Sequence, residues 1–387
     1  MATCPIYLDN AATTKPSPEV CKTVAGVMRE QYGNPSSLHG KGLEAERVVD
    51  EARGIIAGAL GAEPGNVFFT SGGTESNNLA ILGACLRGPR GSADRIVTTA
   101  LENPSVLKPL KEAESRGWRV TYLSTDGSGI LDPCVLEASL NEQVALITLA
   151  HVNNETGAIL PLEAVGALRN RICPGALLHI DCAQSFAKLP VSPVRYGTDL
   201  VSVSAHKIHG PKGAGALYIS GRARLSPIVH GGGQERGMRS GTENTPAIAG
   251  FGAAVREAAA SVEGNADHVR ALRQKLFELL GGPGGVANMP VSGGDGYSPY
   301  ILTLSFPGIP AELMLNLLDR EGVYVSSGAA CSSRRASKTG SHVLAAMGLE
   351  PEIIKGAIRF SFSRYNTMAE IEITADKIKN AARQRRK

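Results

Sequence analysis

Between about residue 15 and residue 255, short apolar runs alternate with longer helical stretches, and this alternation limits the possible folds more than any other feature. The runs are Val67-Phe68-Phe69-Thr70, Arg95-Ile96-Val97-Thr98, Val120-Thr121-Tyr122-Leu123, Ala145–Leu149, Ala176–Ile180, Asp199–Val203 and Gly215–Ile219. Strands that alternate with helices build a mainly parallel sheet covered on both faces. A long helix is expected over Ala253–Leu280, leading to a strand (Tyr300–Leu304), a helix (Ala311–Arg320) and a strand (Ile358–Ser361), the pattern of a smaller α+β lobe. At 387 residues the chain exceeds what one core usually holds. The expected division is a large domain over 15–255 and a small one made of 1–14 and 256–387, with the extended N-terminal segment packing in the small lobe.

Composition narrows the class. The chain is 43% hydrophobic and 20% charged, and its net charge of +4 is spread out, which gives no footprint for nucleic acid. The dense basic run Arg383-Gln384-Arg385-Arg386-Lys387 reads as a solvated helix end. No apolar stretch approaches the ~18 residues of a membrane span, and Met1–Asn10 lacks the pattern of a signal peptide. The seven cysteines are scattered without a Cys-x-x-Cys pair, which argues against a disulfide framework or a zinc ribbon and fits a reduced, cytoplasmic location. No metal site is expected.

Two strand ends carry chemistry. Ala176–Ile180 leads into Asp181-Cys182-Ala183-Gln184, and Asp199–Val203 leads into Ser204-Ala205-His206-Lys207. Ligands of open α/β sheets bind at the carboxyl ends of strands. A lysine at one end and an aspartate at another are what pyridoxal phosphate needs, the lysine for a Schiff base and the carboxylate to keep the pyridine nitrogen protonated. Ser204 and His206 can donate to the phosphate. Taken singly, such residues also serve as ordinary phosphate contacts or solvated loops.

Other segments fit the same end of the sheet. Ser71-Gly72-Gly73-Thr74-Glu75-Ser76-Asn77-Asn78 follows a strand and opens a helix, where free amides and the Thr74 hydroxyl form an anion site. A plain glycine turn with a threonine cap uses the same residues. The spacing matches neither a P-loop nor a dinucleotide fingerprint. In His151-Val152-Asn153-Asn154-Glu155, an asparagine can reach a cofactor oxygen and a substrate carboxylate, or either one can close an Asx-turn. Cys331 stands in Ser326-Ser327-Gly328-Ala329-Ala330-Cys331-Ser332-Ser333, followed by Arg334, Arg335 and Lys338. Small residues and nearby cations make it a candidate nucleophile, while Cys4, Cys21, Cys85, Cys134, Cys173 and Cys182 read as structural. Arg359, inside an apolar strand, must meet a carboxylate of the protein or of a substrate.

With these motifs in hand, the chain resembles the NifS/IscS-type cysteine desulfurases of the class V aminotransferase group. The resemblance runs nearly end to end, from Tyr7-Leu8-Asp9-Asn10-Ala11-Ala12-Thr13-Thr14 and Tyr32-Gly33-Asn34-Pro35 to Gly231–Thr242 and the Cys331 and Arg359 segments. It implies the type I fold of pyridoxal phosphate enzymes, with a seven-stranded, mainly parallel sheet and a smaller α+β domain. It further implies that Lys207 forms the Schiff base, Asp181 pairs with the ring nitrogen and Gln184 bonds the ring oxygen. Gly73, Thr74, Ser204 and His206 would hold the phosphate, with Thr242 arriving from the partner of a homodimer. Asn154 would touch the cofactor, Arg359 would grip the carboxylate of L-cysteine, and Cys331 would take its sulfur as a persulfide for an acceptor protein, releasing alanine.

Two departures stand out. The family's usual histidine after the glutamate is replaced by Asn103 in Glu102-Asn103-Pro104-Ser105-Val106, and asparagine does not titrate near neutral pH. Unless another group substitutes, acid–base catalysis there would fall by about 10²-fold or more. The stretch from Cys331 to His342 is also longer than the common pattern and rich in cations, which bears on the choice of sulfur acceptor. Selenocysteine lyase, another class V reaction and a weakly active sulfur-transfer scaffold are the alternatives that Asn103 keeps open.

Overall fold

The computed structural model describes residues 5–86, 88, 93–281, 287–290, 294, 296–327 and 340–385. In chain order its strands are β1 (Ile6–Tyr7), β2 (Val67–Thr70), β3 (Arg95–Thr99), β4 (Arg119–Leu123), β5 (Val144–Ala150), β6 (Leu177–Asp181), β7 (Leu200–Ser204), β8 (Gly215–Ile219), β9 (Asn288–Pro290), β10 (Ile301–Ser305), β11 (Val323–Tyr324), β12 (Ser326–Ser327) and β13 (Ala357–Ser361). Seven of them form one sheet in the order β2-β8-β7-β6-β5-β3-β4, as expected from the alternation. All neighbours are parallel except β8, which runs antiparallel to both β2 and β7. Strands β2 and β7 therefore point the same way, and both finish at the same end of the sheet.

The inner strands are mostly apolar because helices cover both faces. Every residue of β6, β7 and β8 is buried. Alternate side chains enter opposite cores: Leu178, Ile180, Val201 and Val203 join one, Leu177 and Leu200 the other. On that second face the sheet carries a polar row, in which His179 bonds Thr148 Oγ1 (2.8 Å) and Ser202 Oγ (3.0 Å) through its two ring nitrogens. Burial pushes His179 down to about 3, so the ring is neutral at physiological pH.

A separate core gathers Leu8, Val269, Leu276, Leu302, Met314, Phe360 and Ile378 around the sheet β12-β13-β10-β9. The N-terminal segment belongs to it: β1 pairs with β11, and Leu8 is fully buried there. The expected single helix over Ala253–Leu280 is instead two, Thr245–Ala259 and Val262–Gly281. The break at Ala260 and Ser261 lets the first helix pack in the large-sheet core (Phe251, Ala254, Val255) and the second in the small one. A continuous rod would not serve both. Among the described residues, no helix is long and apolar enough to cross a membrane.

Candidate active site

The strand ends meet in a cavity of about 670 Å³. Its lining includes Gly73, Thr74, Asn103, Asn154, Asp181, Gln184, Ser204, His206 and Lys207. Nine of the residues singled out from sequence are thus brought together. They come from the turn after β2, the loops after β3 and β5, the end of β6, and the end of β7 with its following turn.

The helix Gly73–Cys85 points its N-terminus at this cavity and has no side-chain cap. Gly72, at φ 151°, makes the turn into it. The turn lies hard against the sheet. A β-carbon on Gly215 would come within 2.6 Å of Gly72 Cα and 2.8 Å of Val203 O, so β8 must carry a glycine where the turn crosses it. Sequence reading missed Gly215, because nothing near it in the chain shows that a distant backbone passes there. Ser204 lies beside it, across from Gly215 in the ladder.

Asp181 is fixed by donors on both oxygens: Asn77 Nδ2 on Oδ2 (2.7 Å) and the Ala183 amide on Oδ1 (2.9 Å). Burial raises its carboxyl above the usual range, while those donors and Lys207 pull the other way. Such a carboxylate suits a cationic partner in the cavity. Asn77 was not singled out from sequence. It also donates to Ser105 Oγ (2.9 Å), which ties the helix Gly73–Cys85 to the helix Pro104–Ser115. A polar residue on the buried face of an apolar helix was its only signal.

Lys207 Nζ donates to the carbonyls of Ala11 (2.6 Å) and Ala12 (2.9 Å). Gln184 Nε2 donates to the same Ala11 oxygen (2.9 Å), and His206 Nδ1 meets Thr13 Oγ1 (3.1 Å). The N-terminal segment, assigned from sequence to the small lobe alone, therefore also holds three residues of the site. Burial first, then Lys207, Lys212 and Lys188, push His206 down to about 4. Near pH 7 it offers one N–H rather than a positive charge.

Asn103 has a second duty. It caps the helix Pro104–Ser115, its Oδ1 accepting from the Ser105 amide (2.9 Å), while its Nδ2 lies 3.5 Å from Asn154 Oδ1. Of the two neighbouring asparagines, it is Asn153 that closes the Asx-turn, accepting from the amides of Glu155 and Thr156 (both 2.9 Å). Arg359 is buried but outside the cavity lining. It donates through Nη2 to Asp9 Oδ1 (2.9 Å) and through Nη1 to the Asn154 carbonyl (2.9 Å), and its Nε has no partner among the described residues. Of the two carboxylates expected for it, the protein one is present.

Thr242 is exposed and not part of the lining. Cys331, with the cations after it, lies outside the described residues. Among the cysteines read as structural, Cys85, Cys173 and Cys182 are buried, Cys21 and Cys134 are exposed, and Cys4 lies outside the described residues.

A ring bearing a phosphate and a basic nitrogen fits this cavity. The open helix N-terminus suits the phosphate and buried Asp181 suits the nitrogen. Two polar atoms of the lining, Ser204 Oγ and Gln184 Oε1, are buried without a hydrogen-bond partner among the described residues. Buried polar atoms left so are costly unless a ligand satisfies them.

Fold and site together define an α/β enzyme with a polar cavity at the strand ends of a seven-stranded sheet. The chain belongs to the aminotransferase class-V family, which matches residues 6–373. It is 41% identical over 372 residues to the cysteine desulfurase of Trichormus azollae, covering 95% of this chain and 90% of that one. Among solved structures, a NifS-like protein superposes with a TM-score of 0.91 at 36% identity, covering 97% of this chain and 99% of the other. SspA in complex with cysteine superposes with a TM-score of 0.81 at 33% identity, covering 94% and 100%.

Proposed function

We propose that this chain is a pyridoxal phosphate-dependent L-cysteine desulfurase that acts as a homodimer, with 15–255 as its cofactor lobe and 1–14 plus 256–387 as the smaller lobe. The observation that carries the reading is the convergence of Gly73, Thr74, Asp181, Gln184, Ser204, His206 and Lys207 on one cavity. When bound, the cofactor supplies an electron sink for carbanionic chemistry at the substrate α and β carbons.

Lys207 would hold the cofactor covalently, and the Ala11 and Ala12 carbonyls accept from its ammonium. Asp181 would hold the protonated ring nitrogen, and the backbone of Gly73 and Thr74 with Ser204 and His206 would hold the phosphate. Arg359, steadied by Asp9, takes the substrate carboxylate near Asn154. The Cys331 thiolate attacks the sulfur of bound cysteine: an S–S bond forms as the C–S bond breaks, the electron pair passes to carbon, and protonation of that carbon yields alanine. The persulfide is then available to a sulfur-acceptor protein. Cysteine as substrate is in keeping with a relative solved in complex with it.

The test is product analysis with L-cysteine and a reductant. Wild type is expected to give alanine and sulfide in equal amounts, Lys207→Ala neither, and Cys331→Ala none while still holding cofactor. No alanine from the wild type overturns the reading, and desulfuration by Cys331→Ala removes that thiol from the mechanism.

A further inference from the structure

Behind Lys207 stands a second lysine. Lys188 lies in the segment after β6 and is only 8% exposed, a rare setting for lysine. Its ammonium sits 5.4 Å from the centroid of the Tyr300 ring. Lys188 and Lys207 together line a separate cavity of about 20 Å³, with Asn10, Thr14, His209 and Arg364 in the same wall. That volume is room for about one water. Lys207 thus lies between two spaces, the large cavity on one side and this small polar one on the other.

The backbone is strained around the small cavity. Of the described non-glycine residues, Ala187 (φ 54°), His209 (φ 68°), Glu235 (φ 47°) and Arg236 (φ 55°) have positive φ. Two of these four, Ala187 and His209, line it. A left-handed alanine is strained, and strain of this kind persists mainly where function requires it. Here it sits directly before Lys188.

The groups that face Lys188 are mostly basic: His206 and Lys207 after β7, His209 beyond them, and Arg364 after β13. The carboxylate of Glu257 is taken by Arg364 (2.8 Å), and that of Asp181 by Asn77 and Ala183. Tyr300, pushed up to about 12 by burial, presents a neutral ring. Burial, with the charge of Lys207 second, pushes the Lys188 ammonium down to about 7. Two amines so placed do not readily both hold a proton.

We propose that Lys188 is a positioning residue that sets the protonation of Lys207 from behind the cofactor cavity. The inference rests on Lys207 being the cofactor lysine. A cation at position 188 makes the Lys207 nitrogen release its proton at lower pH, the proton leaving to water, and a neutral Lys188 relaxes that pressure.

The experiment follows the absorbance of the cofactor held by Lys207 against pH in wild-type holoenzyme and in K188M, K188Q and K188R, with borohydride fixation on Lys207 as control. The expected midpoint for K188R, a permanent cation, is about one pH unit below that for K188M or K188Q, with wild type between. A purely structural role would change stability but would not separate neutral from cationic variants. Equal midpoints in K188R and the neutral variants, with cofactor still fixed on Lys207, overturn the proposal while leaving the proposed function intact. Failure of borohydride to fix cofactor on Lys207 in wild type overturns both.

Discussion

Asn103 shows how one side chain can be claimed by two needs. Its carboxamide caps the helix Pro104–Ser115 at the same time as it lines the cavity, and a cap of this kind contributes about 1 kcal/mol. Histidine can also cap: His39 Nδ1 accepts from the Gly42 amide (3.3 Å) at the helix Gly40–Leu60. Asn103→His is therefore expected to fold and to bind cofactor, but to gain no more than about twofold in turnover, since every other lining residue is already in place. Steady-state rates with cysteine across pH check this, and a rise of tenfold or more following a titration near 6.5 would show that the missing imidazole is a real deficit. Arg359 is likewise shared. Arg359→Ala is expected to raise the KM for cysteine about tenfold or more, from loss of a charge-assisted bond. It should also lower stability by about 1–2 kcal/mol, because the partly exposed Asp9 loses its partner. Urea titration and kinetics separate the two, and lost stability with an unchanged KM would assign Arg359 to Asp9 alone.

At the scale of elements, the site depends on where β8 lets the chain pass. The turn through Gly72 and Gly73 crosses β8 at Gly215, and β8, antiparallel to the strands on either side of it, leaves β2 and β7 pointing the same way. Gly215→Ala would push backbone against backbone, a clash that no side-chain rotamer relieves. The expected result is a loss of about 1–3 kcal/mol in stability and at least tenfold weaker cofactor binding, with an unchanged far-ultraviolet circular dichroism spectrum. Cofactor titration of the apoprotein measures it. Wild-type affinity in Gly215→Ala would mean that the turn can shift without harm to the anion site.

For the whole molecule, the open question is what completes the phosphate site. Thr242 is exposed and does not line the cavity of its own chain. The expected state in sedimentation equilibrium is a homodimer at micromolar concentration, with Thr242→Ala weakening cofactor binding by several-fold and leaving the fold unchanged. An active, fully loaded monomer would remove Thr242 from the site.

Local chemistry made much of this legible before any coordinates. Apolar runs fall in strands within a residue or so of their observed ends, because a strand buried on both faces takes polar residues only where they bond one another. Asp181, Ser204, His206 and Lys207 could be picked out because they follow such runs directly and carry functional groups that a buried strand end must use. Other features depended on residues far apart in the chain. The reach of Ala11, Ala12 and Thr13 into the site, the hold of Asn77 on Asp181, the need for Gly215 and the placement of Lys188 behind Lys207 have no local signature. The first three join segments far apart in the chain and the last joins the connections that follow two successive strands, so only packing decides them. The helix expected over Ala253–Leu280 breaks for the same reason, since its two halves serve different cores. The sequence by itself determined which residue types stand at the strand ends and hence the chemistry open to the protein. The tertiary structure decided which of them face one another, because distance and burial, not identity, set whether a lysine, an arginine or an asparagine is engaged by the protein or presented to a ligand.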